Sequence, residues 1–220
     1  MRVKICGLRS RADLEAAALA GADFGGVVFY APSPRHLSLA DARWIAAGRP
    51  DGLPLVALTV DAGDAELDAI LETIPIAMLQ LHGSESPERV AELRGRYGKP
   101  VMKAVGLAEE GDLDGLPDYA DVVDMLLIDA RPPPGAAMPG GHGVAFDWRL
   151  IQGRRWPVPW MLAGGLTPDN VAEAVRLTGA GAVDVSSGVE FARGLKDPKR
   201  IAAFVRAASD ADKALASGSV

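Results

Sequence analysis

Short apolar runs rich in β-branched residues alternate with longer stretches of helical period along the chain, a pattern that predicts repeated βαβ units. Strands are predicted over 3–6, 24–29, 55–60, 78–81, 101–105, 125–129, 160–163 and 182–185. Amphipathic helices are predicted over 10–20, 38–47, 64–74, 86–97 and 167–177, several opened by Ser, Asp or Thr at an N-cap position. Thr167-Pro168 reads as a helix start, a cap followed by proline in the first turn.

A last helix is expected over 198–208, after which 209–220 is small and polar and should fray. The crossover 106–124 is acidic and broken by glycine and proline, so any helix there is short or irregular. Residues 131–143 hold Pro132, Pro133, Pro134 and Pro139 with several glycines, which predicts a long loop after the sixth strand. No composition shift divides the 220 residues. Spread over eight units they give about 27 each, compact but sufficient for a single α/β domain over 1–208, a (β/α)8 TIM barrel. A doubly wound sheet is the alternative, but it would have to absorb eight strands with no edge-strand signal.

Composition then narrows the function. Hydrophobic residues make up 49% and charged residues 24%, which fits a globular chain and not a disordered one. Twenty-nine acidic against 23 basic residues leave a net charge of −6, and only 5% are aromatic, so nucleic acid is an unfavourable partner. The single cysteine cannot form an intrachain disulfide, the start lacks the apolar core and cleavage site of an export signal, and apolar runs are broken by charge. These features point to a soluble, cytoplasmic protein with no membrane partner.

Strand parity places Lys4 with Cys6, Lys103 with Val101 and Val105, Asp129 with Leu127, and Asp184 with Ala182 and Ser186. In a barrel wrapped by helices, the polar member of each set should look inward, so two lysines and two carboxylates are expected in one interior. Such charges are costly unless they pair or serve chemistry. Cys6, Asp129 and Ser186 also fall at C-terminal strand ends, where barrel enzymes place catalytic groups. Each has a plainer use: Cys6 as a small buried hydrophobe, Asp129 as a turn cap, Lys4 and Asp184 as a structural ion pair. Beside Lys4, however, the Cys6 thiolate is favoured.

Two glycine turns are sharper signals. Gly164-Gly165 joins the seventh strand to a helix start, and Ser186-Ser187-Gly188 follows the eighth. Their backbone N–H groups can converge on an anion, and the loops after strands seven and eight are the frequent phosphate site of this architecture. The alternative is two tight turns that need glycine for backbone reasons. Arg35 ends the second unit with a fork suited to a carboxylate, or is a solvated surface group. His82 ends the fourth strand as a site residue or a turn histidine, and His142 sits in the long loop. The three histidines and one cysteine show no metal-ligand spacing. The tryptophans and methionines fit a core.

Together these segments resemble the phosphoribosylanthranilate isomerase family. The resemblance rests on Lys4-Ile5-Cys6-Gly7, Ser33-Pro34-Arg35, Gln80-Leu81-His82-Gly83, Lys103-Ala104-Val105 and Leu127-Ile128-Asp129. Further along it includes Gly140-Gly141-His142-Gly143, Ala163-Gly164-Gly165, and Asp184-Val185-Ser186-Ser187-Gly188-Val189-Glu190 before Lys196-Asp197. His142 and Ala130 stand where the family commonly has threonine. The resemblance implies a (β/α)8 fold and an Amadori rearrangement of N-(5-phosphoribosyl)anthranilate to 1-(2-carboxyphenylamino)-1-deoxyribulose 5-phosphate in tryptophan biosynthesis. Cys6 would be the general base and Asp129 the general acid. Arg35 would hold the anthranilate carboxylate and Asp184 would lie close to the sugar. Gly164, Gly165, Ser186, Ser187 and Gly188 would bind the phosphate. The only partner implied is the small phosphoribosyl substrate, handled by a monomer or homodimer. The iminium formed on ring opening is an electron sink within the substrate, so no cofactor and no metal is expected. The alternatives are another phosphosugar isomerase or lyase of the same barrel group, and a phosphometabolite-binding module that has lost its chemistry.

Overall fold

The computed structural model describes residues 1–131 and 145–218. Eight parallel strands close into a barrel in sequence order: β1 (Arg2–Ile5), β2 (Phe24–Phe29), β3 (Leu55–Thr59), β4 (Ile76–Leu81), β5 (Val101–Leu107), β6 (Met125–Ala130), β7 (Trp160–Leu162) and β8 (Ala182–Val185). Closure comes from β1 pairing with β8, which sets Lys4 opposite Asp184 and Ile5 opposite Val185. Helices α1 (Arg11–Ala20), α2 (Leu39–Ala46), α3 (Asp64–Thr73), α4 (Pro87–Tyr97), α5 (Val171–Thr178) and α6 (Pro198–Ala216) cover the outside.

Local chemistry sets the helix ends. Ser10 and Asp13 form a reciprocal capping box at α1, and Gly21, at φ 86°, closes it in the left-handed region. Ser38 and Ser86 cap α2 and α4, the latter with Pro87 in the first turn. At the seventh unit the helix starts later than the Thr167-Pro168 signal suggests. Asn170 accepts the Thr167 N–H at 2.7 Å and donates to the Gly165 carbonyl at 3.0 Å. This ties the first turn to the glycine loop, and regular helix begins only at Val171.

The acidic fifth crossover carries two 3-10 turns, Glu110–Leu113 and Leu116–Tyr119, as its punctuation predicts. Of the long loop after β6, residues 132–143 lie outside the described residues, His142 and its flanking glycines among them. The described part of that crossover holds a 3-10 turn, Trp148–Ile151, with Ile151 buried. The expected frayed tail is corrected: α6 continues to Ala216, eight residues past the expected end. Its last turns are built of good helix formers, Ala211 packs on the core, and the N-terminal ammonium of Met1 pairs with Asp212.

Two cores result. The larger joins the outward strand residues to the helices. The smaller consists of Met102, Ala104, Met125, Leu127, Met161, Ala163 and Ala182, strand residues only, and so fills the barrel interior. Because Val101 and Val105 belong to the outer core, their partner in parity, Lys103, also points outward, which corrects the expected inward lysine. There Lys103 donates to the Gly83 carbonyl at 2.6 Å and to Glu85 at 2.9 Å, clamping the loop after β4. One lysine, Lys4, and the two carboxylates keep the inward parity.

A feature absent from the strand pattern follows β8: a small antiparallel hairpin, β9 (Glu190–Ala192) with β10 (Leu195–Lys196). Gly194 makes the reversal at φ 79°, with its Cα facing the Pro34 carbonyl, so a Cβ there would collide with backbone.

Candidate active site

Four neighbouring units of the barrel carry the site. Around the ring from β6 through β7 and β8 to β1, the C-terminal ends present in turn Asp129, the Gly164-Gly165 turn, the Ser186-Ser187-Gly188 turn and Cys6. The two glycine turns therefore lie between the acidic side chain and the thiol.

Both turns need their glycines. Gly164, at φ 85°, approaches the Ala130 backbone, and an added Cβ would also stand 3.2 Å from Asp129 Oδ1. At Gly188 an added Cβ would run into the Leu166 carbonyl, so the two turns are packed directly against each other. Beside them opens a cleft of about 540 Å³ lined by Gly165, Thr167, Ser187, Gly188, Lys199 and Arg200 among others. Its two cationic side chains and exposed N–H groups suit a phosphate ester.

Cys6 is buried against Gly26 of β2, where a Cβ would come within 3.0 Å of the sulfur. Burial pushes the thiol above its ordinary value, and Lys4, with Lys196 contributing, works in the opposite direction. Lys4 donates to Asp184 Oδ1 at 3.0 Å, an ion pair made by the opposed register of β1 and β8. Burial opposes the charge on Lys4, yet Asp184 and Cys6 together hold its ammonium above the usual lysine value. The resting state is thus a thiol beside an ammonium, not the thiolate that adjacency to Lys4 alone suggests.

Asp129 has a neighbour at each oxygen. The Ala130 N–H donates to Oδ1 at 2.8 Å, and the His82 ring stands 3.4 Å from Oδ2. The Gln80 amide lies 2.9 Å from His82 Nδ1 and sets the ring with Nε2 facing Asp129. Sequence parity carried the signal for this relay: Gln80 and His82 share the inward face of β4, two residues apart.

Arg35 is buried, and its fork is occupied. Nε and Nη2 donate to the two carboxylate oxygens of Glu190 at 2.7 and 2.9 Å. The Nε–Nη2 edge is therefore taken, and the Nη1–Nη2 edge, with its remaining N–H groups, is what a further acceptor could meet. Glu190 also accepts from Lys196 at 2.8 Å and from the Gly194 N–H at 3.0 Å. Burial opposes its ionisation, but Arg35 and Lys196 hold its carboxyl down to about 2. Lys196 is in turn pulled below the usual lysine value, chiefly by burial. The Glu190–Lys196 pair was not among the expected site residues because the hairpin that carries it has no strand-like periodicity. Among the described residues no cluster of three or more His, Cys, Asp or Glu is placed to hold a metal ion, and no helix is long and apolar enough to cross a membrane.

Fold and site together define a (β/α)8 barrel whose C-terminal face gathers the ends of β6 to β1 around two glycine turns. The family model described as N-(5'-phosphoribosyl)anthranilate (PRA) isomerase matches residues 3–207. The chain belongs to this family. It is 64% identical over 208 residues to the N-(5'-phosphoribosyl)anthranilate isomerase of Cereibacter sphaeroides, covering 94% of this chain and 98% of that one. It is 57% identical over 207 residues to the same enzyme of Paracoccus denitrificans, covering 94% and 96%. Among solved structures, the phosphoribosyl anthranilate isomerase of Thermotoga maritima superposes with a TM-score of 0.86 at 34% identity, covering 96% and 99%. A complex of such an isomerase with reduced 1-(o-carboxyphenylamino)-1-deoxyribulose 5-phosphate gives 0.83 at 33%, with the same coverage.

Proposed function

We propose that this protein isomerises N-(5-phosphoribosyl)anthranilate to 1-(2-carboxyphenylamino)-1-deoxyribulose 5-phosphate, with Asp129 as general acid and Cys6 as general base. The observation that carries the reading is the order of groups around the mouth: acid, two phosphate turns, thiol. A phosphosugar anchored between Asp129 and Cys6 can meet one with its ring oxygen and the other with C2′.

Protonated Asp129 delivers its proton to the furanose oxygen as the C1′–O bond breaks, and the nitrogen lone pair forms the C1′ iminium. The carboxylate left behind is received by donors already in place, the Ala130 N–H and the His82 ring. The iminium acidifies C2′–H. The Cys6 thiolate takes that proton, and the electron pair of the broken C–H bond moves to form an enolamine. Protonation at C1′ and loss of the C2′ hydroxyl proton give the ketone. Gly164, Gly165, Ser186, Ser187 and Gly188 hold the phosphate, so binding energy remote from the reacting carbons orients them. Asp184 is kept beside the sugar by Lys4, and the Nη1–Nη2 edge of Arg35 is the one left for the anthranilate carboxylate. Electron demand is met within the substrate, so the scheme calls on no cofactor or metal. The reading extends to a small-molecule enzyme of the cytoplasm acting as a monomer or homodimer.

The test is loss of substrate fluorescence with purified protein. Cys6→Ala and Asp129→Asn should each lower kcat by about 10²-fold or more, with KM far less affected. Full activity in either variant would remove that residue from its role.

A further inference from the structure

Beneath the mouth lies a chain of buried groups of which the scheme above uses only Arg35, leaving Glu190 and Lys196 without a task. Arg35, Glu190 and Lys196 are each less than a tenth exposed. Glu190 sits between the two cations, so the three carry one unit of positive charge in excess. Lys4 and Asp184 next to them cancel. The surplus is aimed. Lys196 Nζ donates to the Ser186 carbonyl at 2.9 Å and lies 3.3 Å from Ser186 Oγ, while that hydroxyl donates to the Cys6 carbonyl at 3.1 Å. One ammonium thus holds the residue that opens the second phosphate turn and, through it, the backbone of the thiol-bearing residue.

We propose that Lys196, oriented by Glu190, is the positioning residue that supplies the countercharge for the Cys6 thiolate. This rests on the reading of Cys6 as the base. When the thiol proton leaves to solvent, the sulfur gains a negative charge in a buried site. The charged groups facing it are Lys4 on its own strand, Asp184 on β8 and Lys196 on β10. On the β2 side the neighbour is Gly26, which has no charge to offer. Lys4 acts on the sulfur most strongly, but Asp184 beside it acts in the opposite sense, whereas the Arg35–Glu190–Lys196 chain retains an unbalanced unit of positive charge. The direction of the effect on the thiol agrees, since Lys196 lowers it against the rise caused by burial. Glu190 tempers the same charge. Removing the carboxylate should therefore act on the sulfur in the sense opposite to removing the ammonium, a reversal that a purely structural clamp does not produce.

Cys6 is the only cysteine, so thiolate absorbance in the ultraviolet, once the tyrosinate contribution of the three tyrosines is subtracted, titrates this one thiol. Lys196→Gln, which can still donate to Ser186, should raise the titration midpoint by about one pH unit. It should move the pH dependence of Cys6 alkylation by iodoacetamide by the same interval. Lys196→Arg, which keeps the charge, should stay close to the natural protein, and Glu190→Gln should lower the midpoint. An unmoved midpoint in Lys196→Gln, or equal shifts in Lys196→Gln and Lys196→Arg, would overturn the assignment. Should Lys196→Gln fail to fold, Glu190→Gln decides alone: a midpoint that falls supports the proposal and one that rises or stays ends it. Because the titration needs no turnover, the two readings fail separately. An active Cys6→Ala with a shifted midpoint in Lys196→Gln defeats the base and leaves the countercharge; an inactive Cys6→Ala with an unmoved midpoint does the reverse.

Discussion

The thiol of Cys6 is a weaker acid than Lys4 alone suggests, because burial disfavours the charged sulfur and Asp184 acts against the pull of Lys4. Only the deprotonated form can take C2′–H. With the thiol above its ordinary value, the thiolate fraction grows as pH rises, so the rate of Cys6 alkylation by iodoacetamide should climb through neutrality and level off only above roughly pH 8.5. A pH–rate profile already flat at pH 7 would contradict this. At the acid, the His82 ring steadies Asp129 once its proton has gone. Removing this neighbour of the carboxylate should cost about 1 kcal/mol, so His82→Ala should lower kcat by roughly fivefold and leave KM almost unchanged. A change in KM alone would mean that the ring contacts bound substrate instead. Parity and strand-end position made Cys6, Asp129 and Asp184 legible before any coordinates, since each follows from two-residue alternation on a short strand. Lys103 shows where parity stops: it groups residues on a face without saying which face looks inward. That choice was made by Glu85 and the Gly83 carbonyl, partners about twenty residues away on another unit.

At the scale of elements, the eight strands and the first four helices were readable because each repeats one period, and three of those helices begin with a serine cap. What escaped was set by partners distant in sequence. The β9–β10 hairpin is five strand residues turned by Gly194, too short to show alternation, and it is held by Glu190 bridging to Arg35 155 residues away. The end of α6 was misjudged for a similar reason. Small residues look like a fraying tail until Ala208 and Ala211 are seen packed on the core and Asp212 paired with the first residue of the chain. Through that contact the last helix fastens the start of β1, the strand that presents Cys6. Removing residues 209–220 should cost about 2 kcal/mol and lower Tm by roughly 5 °C in a circular dichroism melt. The site should remain intact in the folded fraction, with kcat at low temperature close to that of the full chain. An unchanged Tm would show that the final turns contribute nothing to the barrel.

For the whole molecule, the Arg35–Glu190–Lys196 chain joins the loop after β2, the phosphate turn, the hairpin and, through Ser186, the end of β1. No single element holds the mouth together, so the stability of the mouth should follow the charge of the group at the centre. Glu190 has a folded value of about 2 against 4.5 for an unperturbed glutamate. Its carboxyl is thus held below the unfolded value. The stabilisation it brings is fully present above about pH 4.5 and is lost as pH falls toward 2, where folded and unfolded forms are both protonated. Breaking a buried pair by removing one partner costs roughly 3–5 kcal/mol, so Glu190→Gln should be less stable than the natural protein by about that amount at neutral pH. Acid should then erase the difference. Urea unfolding measured at about pH 6, 4 and 3 should show the two proteins converging, because protonation does to the natural carboxyl what the amide did permanently. A gap that stays constant over this range would mean that Glu190 stabilises the mouth by shape and hydrogen bonding, with its charge contributing nothing.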